Sequence, residues 1–435
     1  MENSIKRKQE RDKNSIWHPF THQLSAKPAI PIVRGDGLYF YDDSGNQYMD
    51  AISSWWVNLH GHCNPYISKK VSEQVFTLEH CLFSDFTHAT AIDLAERLLN
   101  HLPDNQSKIF YSDNGSTAVE VALKMALQYW HNKGIDKTTF IAFENGYHGD
   151  TFGSMSVGAR NVFNGAFESL LFNVVHVPLP KAEDFETYKK KFIGLLQVNK
   201  IAGFIFEPLV QGAGGMIMYD ATLLNEMILC CKQHKILCIA DEVMTGFGRT
   251  GKFFASDYLT NKPDIFCLSK GLTGGYMPMG VTSCSAFIYD AFLSHDKTKT
   301  FFHGHSYTAN PTACSAALAS LDLMEQETTW EQIKMIAASH QKFIKTVHSS
   351  PLIKEVRTLG TVLAIELTTH DGSHYLHAFS ETISNYFLSR GILLRPLGNI
   401  FYLIPPYIIT EVELNSIYST IRDFLNFIAE KPVFS

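Results

Sequence analysis

The sequence lacks several features that would place it in other functional classes. Its 435 residues contain no uninterrupted run of about 18 apolar residues, so no membrane-spanning helix is predicted. Aspartate and glutamate (43) outnumber lysine and arginine (37), and the net charge of −6 disfavours a nucleic-acid binder, which would carry a basic face. The N-terminus, MENSIKRKQERDKNS, has no apolar core of a secretory signal. We predict that it is a frayed, solvated tail.

Cysteine is present but is not arranged for disulfides or metal. The eight cysteines include no C-x-x-C pair, and several lie in apolar runs. This pattern is typical of buried free thiols in a reducing compartment. Cys63, His60 and His62 are close in sequence, but no second ligand cluster at suitable spacing accompanies them. We therefore expect a cytoplasmic protein with no metal site.

What the chain does contain is an alternation of short apolar runs and amphipathic helix patterns. Strands are predicted at 140–143, 201–206, 236–240, 265–268 and 281–287, with helices at 116–131 and 221–234. This alternation is typical of an α/β domain with a mostly parallel sheet. Beyond about residue 325, helices at 327–349, 376–390 and 410–428 flank short strands at 361–367, 392–395 and 400–404. We predict a large α/β domain at 61–322 and a smaller α+β domain at 323–435, to which residues 1–60 contribute.

Residues 237–275 hold the most informative pattern. One apolar run ends at Asp241, and the next ends just before Lys270. Active-site groups in parallel sheets lie beyond the carboxyl ends of the strands, so these two residues are expected to meet in one crevice. Pyridoxal phosphate (PLP) needs such a pair, a lysine for its aldehyde and a carboxylate for its ring nitrogen. The alternative is that both charges simply end strands at the surface.

Other segments supply groups that a phosphorylated planar cofactor and an acidic substrate need. Gly115 and Ser116 precede a helix whose Thr117 and Glu120 have capping-box spacing, which predicts an anion site or an ordinary capped helix. Tyr147 lies between two glycines at a strand end, where it can stack on a ring or pack in a turn. The adjacent tryptophans at 55 and 56 are predicted to lie in a strand, with one indole facing a pocket. An arginine at 395, after an apolar run, suits a carboxylate.

Together these segments resemble the class III aminotransferases, PLP enzymes of the aspartate-aminotransferase fold (fold type I). The resemblance runs from about residue 17 to 407, and its most specific stretch is residues 241–251, DEVMTGFGRTG, followed by Lys270. Further segments resemble the branch of the family that aminates 8-amino-7-oxononanoate to 7,8-diaminononanoate in biotin biosynthesis. These segments are WHPFT at 17–21, SSWW at 53–56, KMALQYW at 124–130, NGYHGDTF at 145–152 and RPLG at 395–398.

The resemblance also implies roles for individual residues. Lys270 would form the Schiff base with PLP, Asp241 would pair with the pyridine nitrogen, and Tyr147 would complete the catalytic set by stacking on the ring. The implied cofactor-binding residues are Gly115, Ser116, Tyr147, Gln211, Asp241, Lys270, His305 and Ser306. Ser306 would come from the neighbouring subunit of a homodimer. The implied substrate-binding residues are Trp55, Tyr147, Asp150, Arg249, Lys270, Gly304, Arg395 and Tyr402, with Asp150 and Arg249 on the donor side.

Two departures from the family pattern leave the amino donor open. Phe20 stands where relatives that use S-adenosylmethionine often have tyrosine, and the segment GHSYT at 304–308 also differs from theirs. Both features resemble relatives that use lysine as the donor. The resemblance favours S-adenosylmethionine, with lysine as the alternative. Another ω-amino-acid aminotransferase activity and a PLP-binding protein without turnover are the rival functions.

Overall fold

The computed structural model describes residues 2–198, 200–370 and 372–430. Its strands are β1 (Ile32–Asp36), β2 (Tyr39–Asp42), β3 (Gln47–Asp50), β4 (Gln106–Ser112), β5 (Thr139–Phe143), β6 (Val174–Val177), β7 (Ile201–Phe206), β8 (Val210–Gln211), β9 (Ile217–Met218), β10 (Leu237–Asp241), β11 (Ile265–Leu268), β12 (Gly280–Ser285), β13 (Ile353–Leu359), β14 (Val362–Leu367), β15 (Ile392–Leu393) and β16 (Ile400–Leu403). Its α-helices are α1 (Glu2–Ser15), α2 (Ser53–Trp56), α3 (Pro65–Thr77), α4 (Ala89–His101), α5 (Gly115–Asn132), α6 (Phe152–Val157), α7 (Phe185–Val198), α8 (Ala221–Gln233), α9 (Ala286–Asp290), α10 (Pro311–Met324), α11 (Glu327–Val347), α12 (Phe379–Leu388) and α13 (Glu411–Ala429).

A seven-stranded sheet organises the larger part of the chain, in the order β4-β12-β11-β10-β7-β5-β6. Strand β12 is antiparallel to both of its neighbours, and the pairs from β11 to β6 are parallel. Every residue of β7, β10, β11 and β12 is buried, and β7, β10 and β11 are apolar over most of their length, as in a sheet covered on both faces. The predicted α/β fold with a mostly parallel sheet is confirmed.

Besides the β8–β9 pair, the described residues form two smaller sheets, one of which joins the N-terminal part of the chain to the C-terminal part. Strands β1, β2 and β3 form an antiparallel set, and β3 pairs in parallel with β15 from the C-terminal part, with Met49 opposite Ile392. Strands β13, β14 and β16 form the other sheet, in which β13 is an edge strand that the sequence reading missed. Charged residues interrupt the apolar pattern of β13, so its periodicity is weak. The domain boundaries stay a prediction.

The N-terminal segment and the tryptophan pair differ from expectation. Residues 2–15 form helix α1, because the segment is rich in helix-forming Lys, Arg, Glu and Gln and contains no Gly or Pro. Its Lys8 donates hydrogen bonds to the carboxylate of Asp43. Trp55 and Trp56 lie in the distorted helical turn α2, not in a strand, since Ser54 and Trp56 have φ of 59° and 65°.

The start of helix α5 is capped differently from the prediction. Asn114 is the N-cap residue, and its side-chain oxygen accepts a hydrogen bond from the Thr117 amide at 3.0 Å while Thr117 Oγ1 accepts one from the Asn114 amide. Glu120 instead accepts hydrogen bonds from Thr151 Oγ1 and the Gly153 amide. Glu120 therefore anchors the turn that follows Asp150. Over the described residues, no helix has the length and apolar character needed to cross a membrane.

Candidate active site

A cavity of about 520 Å³ lies beyond the carboxyl ends of β10 and β11, a volume that suits a small-molecule site. The start of α5, the turn α2 and segments of the C-terminal part also line it. Asp241 is opposite Cys267 in the β10–β11 register, which places Lys270 just past the neighbouring strand end. Both Asp241 and Lys270 line this cavity, as the strand-end pattern predicts.

Lys270 occupies an unusual position. It begins a single 3₁₀ turn with φ of 45°, in the left-handed region that non-glycine residues rarely adopt. Burial lowers the pKa of its ammonium group, the charges of Asp241 and Glu207 act in the opposite direction, and Arg249 lowers it further. Its Nζ lies 4.7 Å from the centre of the Trp56 ring. The amine is therefore shielded from water and easier to deprotonate than an exposed lysine.

The carboxylate of Asp241 is held on both oxygens. His148 Nδ1 lies 2.7 Å from Oδ2, and the Val243 amide donates to Oδ1 at 3.1 Å. Burial disfavours the imidazolium of His148, but the hydrogen bond and charge of Asp241 outweigh it and raise the His148 pKa. These two partners hold the buried carboxylate in one orientation in the cavity lining.

Glu207 and Tyr147 form the part of the lining next to Asp241. Glu207 accepts hydrogen bonds from the backbone amides of Tyr147 at 3.0 Å and Gly212 at 2.9 Å. Burial raises the Glu207 pKa to about 7, with the neighbouring charge of Asp241 adding to the rise and His148 opposing it. Burial also raises the pKa of the Tyr147 phenol, and Asp150 adds to it. Glu207 thus ties together two turns that face the cavity.

The N-terminus of α5 brings backbone amides to the part of the cavity lining next to Val243. Gly115 and Ser116 are its first two residues, and both line the cavity. The first amides of a helix have no intrahelical acceptor and attract anions. Ser116 Oγ accepts a hydrogen bond from the Asp150 amide at 2.9 Å, so Asp150 and Tyr147 are fixed relative to this helix start.

The far end of the cavity combines an arginine with aromatic rings. The guanidinium carbon of Arg395 lies 4.4 Å from the Trp55 ring centre and 6.0 Å from that of Phe20. Tyr402, which also lines the cavity, accepts a hydrogen bond from Trp56 Nε1 at 3.0 Å. An arginine flanked by aromatic faces, with its fork of donors free for a planar anion, is a typical carboxylate site.

Comparison with known proteins agrees with this geometry. The family model described as "Aminotransferase class-III" matches residues 21–425. The chain belongs to the class III aminotransferases. It is 44% identical to an adenosylmethionine-8-amino-7-oxononanoate aminotransferase from Synechococcus elongatus, over 94% of this chain and 98% of that one.

Solved structures of class III aminotransferases share the whole fold. The crystal structure of the adenosylmethionine-8-amino-7-oxononanoate aminotransferase from Methanocaldococcus jannaschii superimposes with a TM-score of 0.92 at 35% identity, covering 97% of this chain and 99% of that one. An amine transaminase from an uncultivated Pseudomonas species, solved in its PLP-bound form, gives 0.87 at 33% identity, covering 94% and 97%. The aminotransferase fold is therefore present over nearly the full length.

Some predicted site residues of this aminotransferase lie away from the cavity. Arg249 is fully buried and donates to the carbonyl oxygens of Pro405 and Asn58 at 2.9 and 3.1 Å, so its guanidinium braces the backbone and does not face a substrate. This corrects the expected donor-side contact. The Gln211 amide nitrogen donates to the Glu144 carbonyl at 2.8 Å, and Gln211 is not among the described residues that line the cavity. That bond draws its side chain behind the Tyr147 turn.

The loop predicted to reach a neighbouring subunit lies on the surface of this chain. Its residues Gly304, His305 and Ser306 do not belong to the cavity lining among the described residues. Ser306 is predicted to contact the cofactor phosphate of a second subunit. That contact and the predicted site roles of Gly304 and His305 stay predictions. The described residues also contain no group of three or more His, Cys, Asp or Glu arranged to hold a metal ion.

The residues that line the site include His148, Glu207, Trp56 and Phe163, none of which has an individual role predicted from the sequence. His148 follows Tyr147 in the same turn, and Glu207 ends a buried strand just as Asp241 does. The rule that active-site groups lie beyond the carboxyl ends of strands therefore applies to Glu207 as well. That rule does not show which groups Glu207 contacts. Phe163 lies in an irregular segment without any motif, so no pattern could have identified it.

Proposed function

We propose that this aminotransferase uses PLP to convert 8-amino-7-oxononanoate to 7,8-diaminononanoate in biotin biosynthesis, with S-adenosylmethionine as the amino donor. The observation that carries the proposal is one cavity with Lys270 and Asp241 at one end and Arg395 among aromatic rings at the other. A 9-carbon substrate with a reactive keto group near one end and a carboxylate at the other matches that arrangement. The names of the most similar relatives support the same substrate.

The residues present fit PLP at three of its polar groups. The backbone of Gly115 and Ser116 at the α5 N-terminus suits the phosphate. A Cβ at Gly115 would stand 2.8 Å from Val243 Cγ1, so the close packing of the helix start against Val243 requires glycine. The anchored carboxylate of Asp241 suits a protonated ring nitrogen. The buried amine of Lys270 suits the aldehyde.

PLP, when bound, supplies an electron sink for the pair of electrons released when the donor loses its α-proton. Asp241, held by His148, would pair with the ring nitrogen of the bound cofactor. Lys270 acts as the general base: its Nζ takes the proton from the donor α-carbon, and burial favours the neutral amine that this step requires. Tyr147 would stack on the ring, and its turn is fixed by Glu207 and by Ser116 through the Asp150 amide.

Arg395 binds the distal carboxylate of the oxononanoate chain, with Tyr402 completing this end. A guanidinium can hold a carboxylate through two parallel hydrogen bonds, which fixes both the orientation and the distance of the keto carbon from Lys270. Trp55 lies against the same guanidinium and covers the chain next to it. A shorter dicarboxylic or ω-amino substrate whose carboxylate does not reach Arg395 lacks this contact and is disfavoured.

The amino donor has two candidates, and we favour S-adenosylmethionine because of the relatives' names. Lysine is the second candidate, since Phe20 brings a ring without a hydroxyl to the cavity, 5.6 Å from the ring centre of Trp55. Asp150, which lines the cavity beside Ser116, is the remaining candidate for a contact with the donor.

We further propose a cytoplasmic homodimer in which His305 and Ser306 of one subunit approach the phosphate site of the other, with Gly304 near its substrate. Exposed apolar side chains at Leu82, Phe86, Phe302 and Tyr307 support a covered surface in this region. His80 and Tyr307 are in contact at 5.5 Å between ring centres, so the two segments that carry these side chains are adjacent. Eight free thiols support a reducing compartment.

The test is product formation by the purified, PLP-loaded enzyme. S-adenosylmethionine and lysine are supplied in turn with 8-amino-7-oxononanoate, and 7,8-diaminononanoate is measured by mass spectrometry. The proposal expects product with S-adenosylmethionine and little with lysine; the reverse result assigns lysine as donor. Absence of product with both donors, together with turnover of ω-amino acids, would replace the proposed acceptor.

A further inference from the structure

Phe163 lies at the centre of an aromatic wall that joins the two ends of the cavity. Its ring centre is 5.8 Å from that of Phe20, 6.3 Å from that of Tyr147 and 4.6 Å from that of Tyr375. All four rings line the cavity, although they come from distant parts of the chain. Tyr147 belongs to the Lys270 end and Phe20 to the Arg395 end. Phe163 therefore stands beside the stretch that a long substrate must cross.

The backbone around Phe163 is held in one conformation by side-chain hydrogen bonds. The Phe163 amide donates to Asn161 Oδ1 at 2.9 Å, and the buried Asn164 donates to the Ala159 carbonyl at 2.6 Å. Arg160 donates to the carbonyl oxygens of residues 155, 156 and 158. The ring is consequently positioned before any ligand arrives, and binding costs little conformational entropy there.

We propose that Phe163 is a specificity-determining residue that contacts the methylene chain of the carboxylic-acid substrate between Lys270 and Arg395. The identity of that substrate rests on the proposed function. Contact with Phe163 makes the affinity of the site depend on the length of the acid. Each methylene that leaves water against an aromatic face gains apolar burial. An acid too short to reach Phe163 gains only the contact with Arg395. The ring thus selects long straight-chain acids over short ones.

A series of unreactive straight-chain acids separates this role from turnover. Carboxylic acids of five to nine carbons are titrated into the PLP-loaded enzyme, and binding is followed by the fluorescence of its tryptophans, since Trp55 lies beside Arg395. For the wild type, we expect the affinity to rise by roughly threefold to fourfold per added methylene. For Phe163→Ala, we expect a rise below about twofold per methylene, with the five-carbon acid bound as in the wild type.

Two matched variants and one conservative variant complete the design. Phe167→Ala removes the same side chain from the same segment, outside the cavity lining and against Phe152, and should keep the wild-type dependence on length. Arg395→Ala should weaken every acid by a common factor and leave the dependence intact. Phe163→Leu keeps most of the apolar volume and should restore most of the dependence.

A Phe163→Ala protein with the wild-type dependence on length would overturn the inference, as would a wild type that binds all five acids equally. If Phe163→Ala instead loses the same affinity for every acid, with no recovery in Phe163→Leu, then Phe163 serves packing alone. That result would also overturn the inference. Because the acids carry neither amine nor ketone, these results do not depend on turnover. Failure of the wild type to convert 8-amino-7-oxononanoate would instead refute the proposed function.

Discussion

Replacing Glu207 with glutamine tests the electrostatics of the cavity most directly. The Glu207 carboxyl is fully buried, and burial raises its pKa from 4.5 to about 7. The folded protein therefore binds more protons at this residue than the unfolded chain does between those two values. The resulting stabilisation is complete below pH 4.5 and is lost as the pH rises through about 7.

The size of the effect follows from the same two values. At about 1.36 kcal/mol per pKa unit, the ionised carboxylate costs the folded state roughly 3 kcal/mol at high pH. About 2 kcal/mol of that loss falls between pH 5.5 and 8.5. Glutamine does not ionise, so the loss is absent from the variant. Glutamine also replaces one of the two carboxylate oxygens that accept hydrogen bonds from the Tyr147 and Gly212 amides with an NH2 group. The lost acceptor lowers the stability of the variant by about 1–3 kcal/mol, and this loss does not change with pH.

The measurement is the free energy of unfolding of PLP-free wild type and Glu207→Gln by urea at several pH values from about 5.5 to 8.5. The difference between the two proteins should move in favour of the variant by about 2 kcal/mol across that range. Glu242 and Asp264, whose buried carboxyls have pKa values raised by burial to about 7 and about 6, are common to both proteins and cancel in the difference.

Glu331→Gln, at an exposed position on α11, is the control and should show no such trend. A difference between Glu207→Gln and the wild type that is constant with pH would refute the reasoning. It would mean that the carboxyl titrates alike in the folded and unfolded chains, so that burial is offset by the two amides and His148. A trend of opposite sign would mean that those partners outweigh burial.

Three further changes test the remaining groups. Lys270→Ala should abolish transamination. It should also abolish the covalent attachment of PLP to the chain that mass spectrometry detects after borohydride reduction. Undiminished turnover would refute the assignment of Lys270 as the Schiff-base lysine. Arg395→Ala should raise KM for 8-amino-7-oxononanoate by about 10²-fold, a loss of about 2–3 kcal/mol for a charge-assisted contact, with a much smaller change for the donor. Arg249→Met should destabilise the protein by about 3 kcal/mol, seen in urea unfolding, because the carbonyls of Pro405 and Asn58 lose a buried donor.

Removal of the Arg249 charge has a second, separable consequence. Its positive charge lowers the pKa of the Lys270 ammonium group, so Arg249→Met should move the acidic limb of the activity profile, where the neutral amine of Lys270 is limiting, to higher pH. If Arg249 bound the donor directly, the variant would instead raise the donor's KM without moving the pH profile. The two outcomes distinguish a brace from a substrate contact.

The local pattern of the chain determined the fold class and the reacting pair. Short apolar runs with polar ends specify buried parallel strands, and the rule for their carboxyl ends predicts that Asp241 and Lys270 meet in one crevice. The same reasoning identified the start of α5, although the cap proved to be Asn114. Periodicity and turn chemistry carry this information because they depend on neighbours within a few residues.

Tertiary structure alone decided which distant side chains meet. The His148–Asp241 contact, the tie from Glu207 to the Tyr147 turn, and the position of Phe163 between Phe20 and Tyr147 join segments that no local pattern relates. Irregular loops set these contacts, and their paths depend on packing against the rest of the molecule. Arg249 shows the same limit: its motif predicted a substrate contact, but the carbonyls that surround it in the fold make it a buried brace.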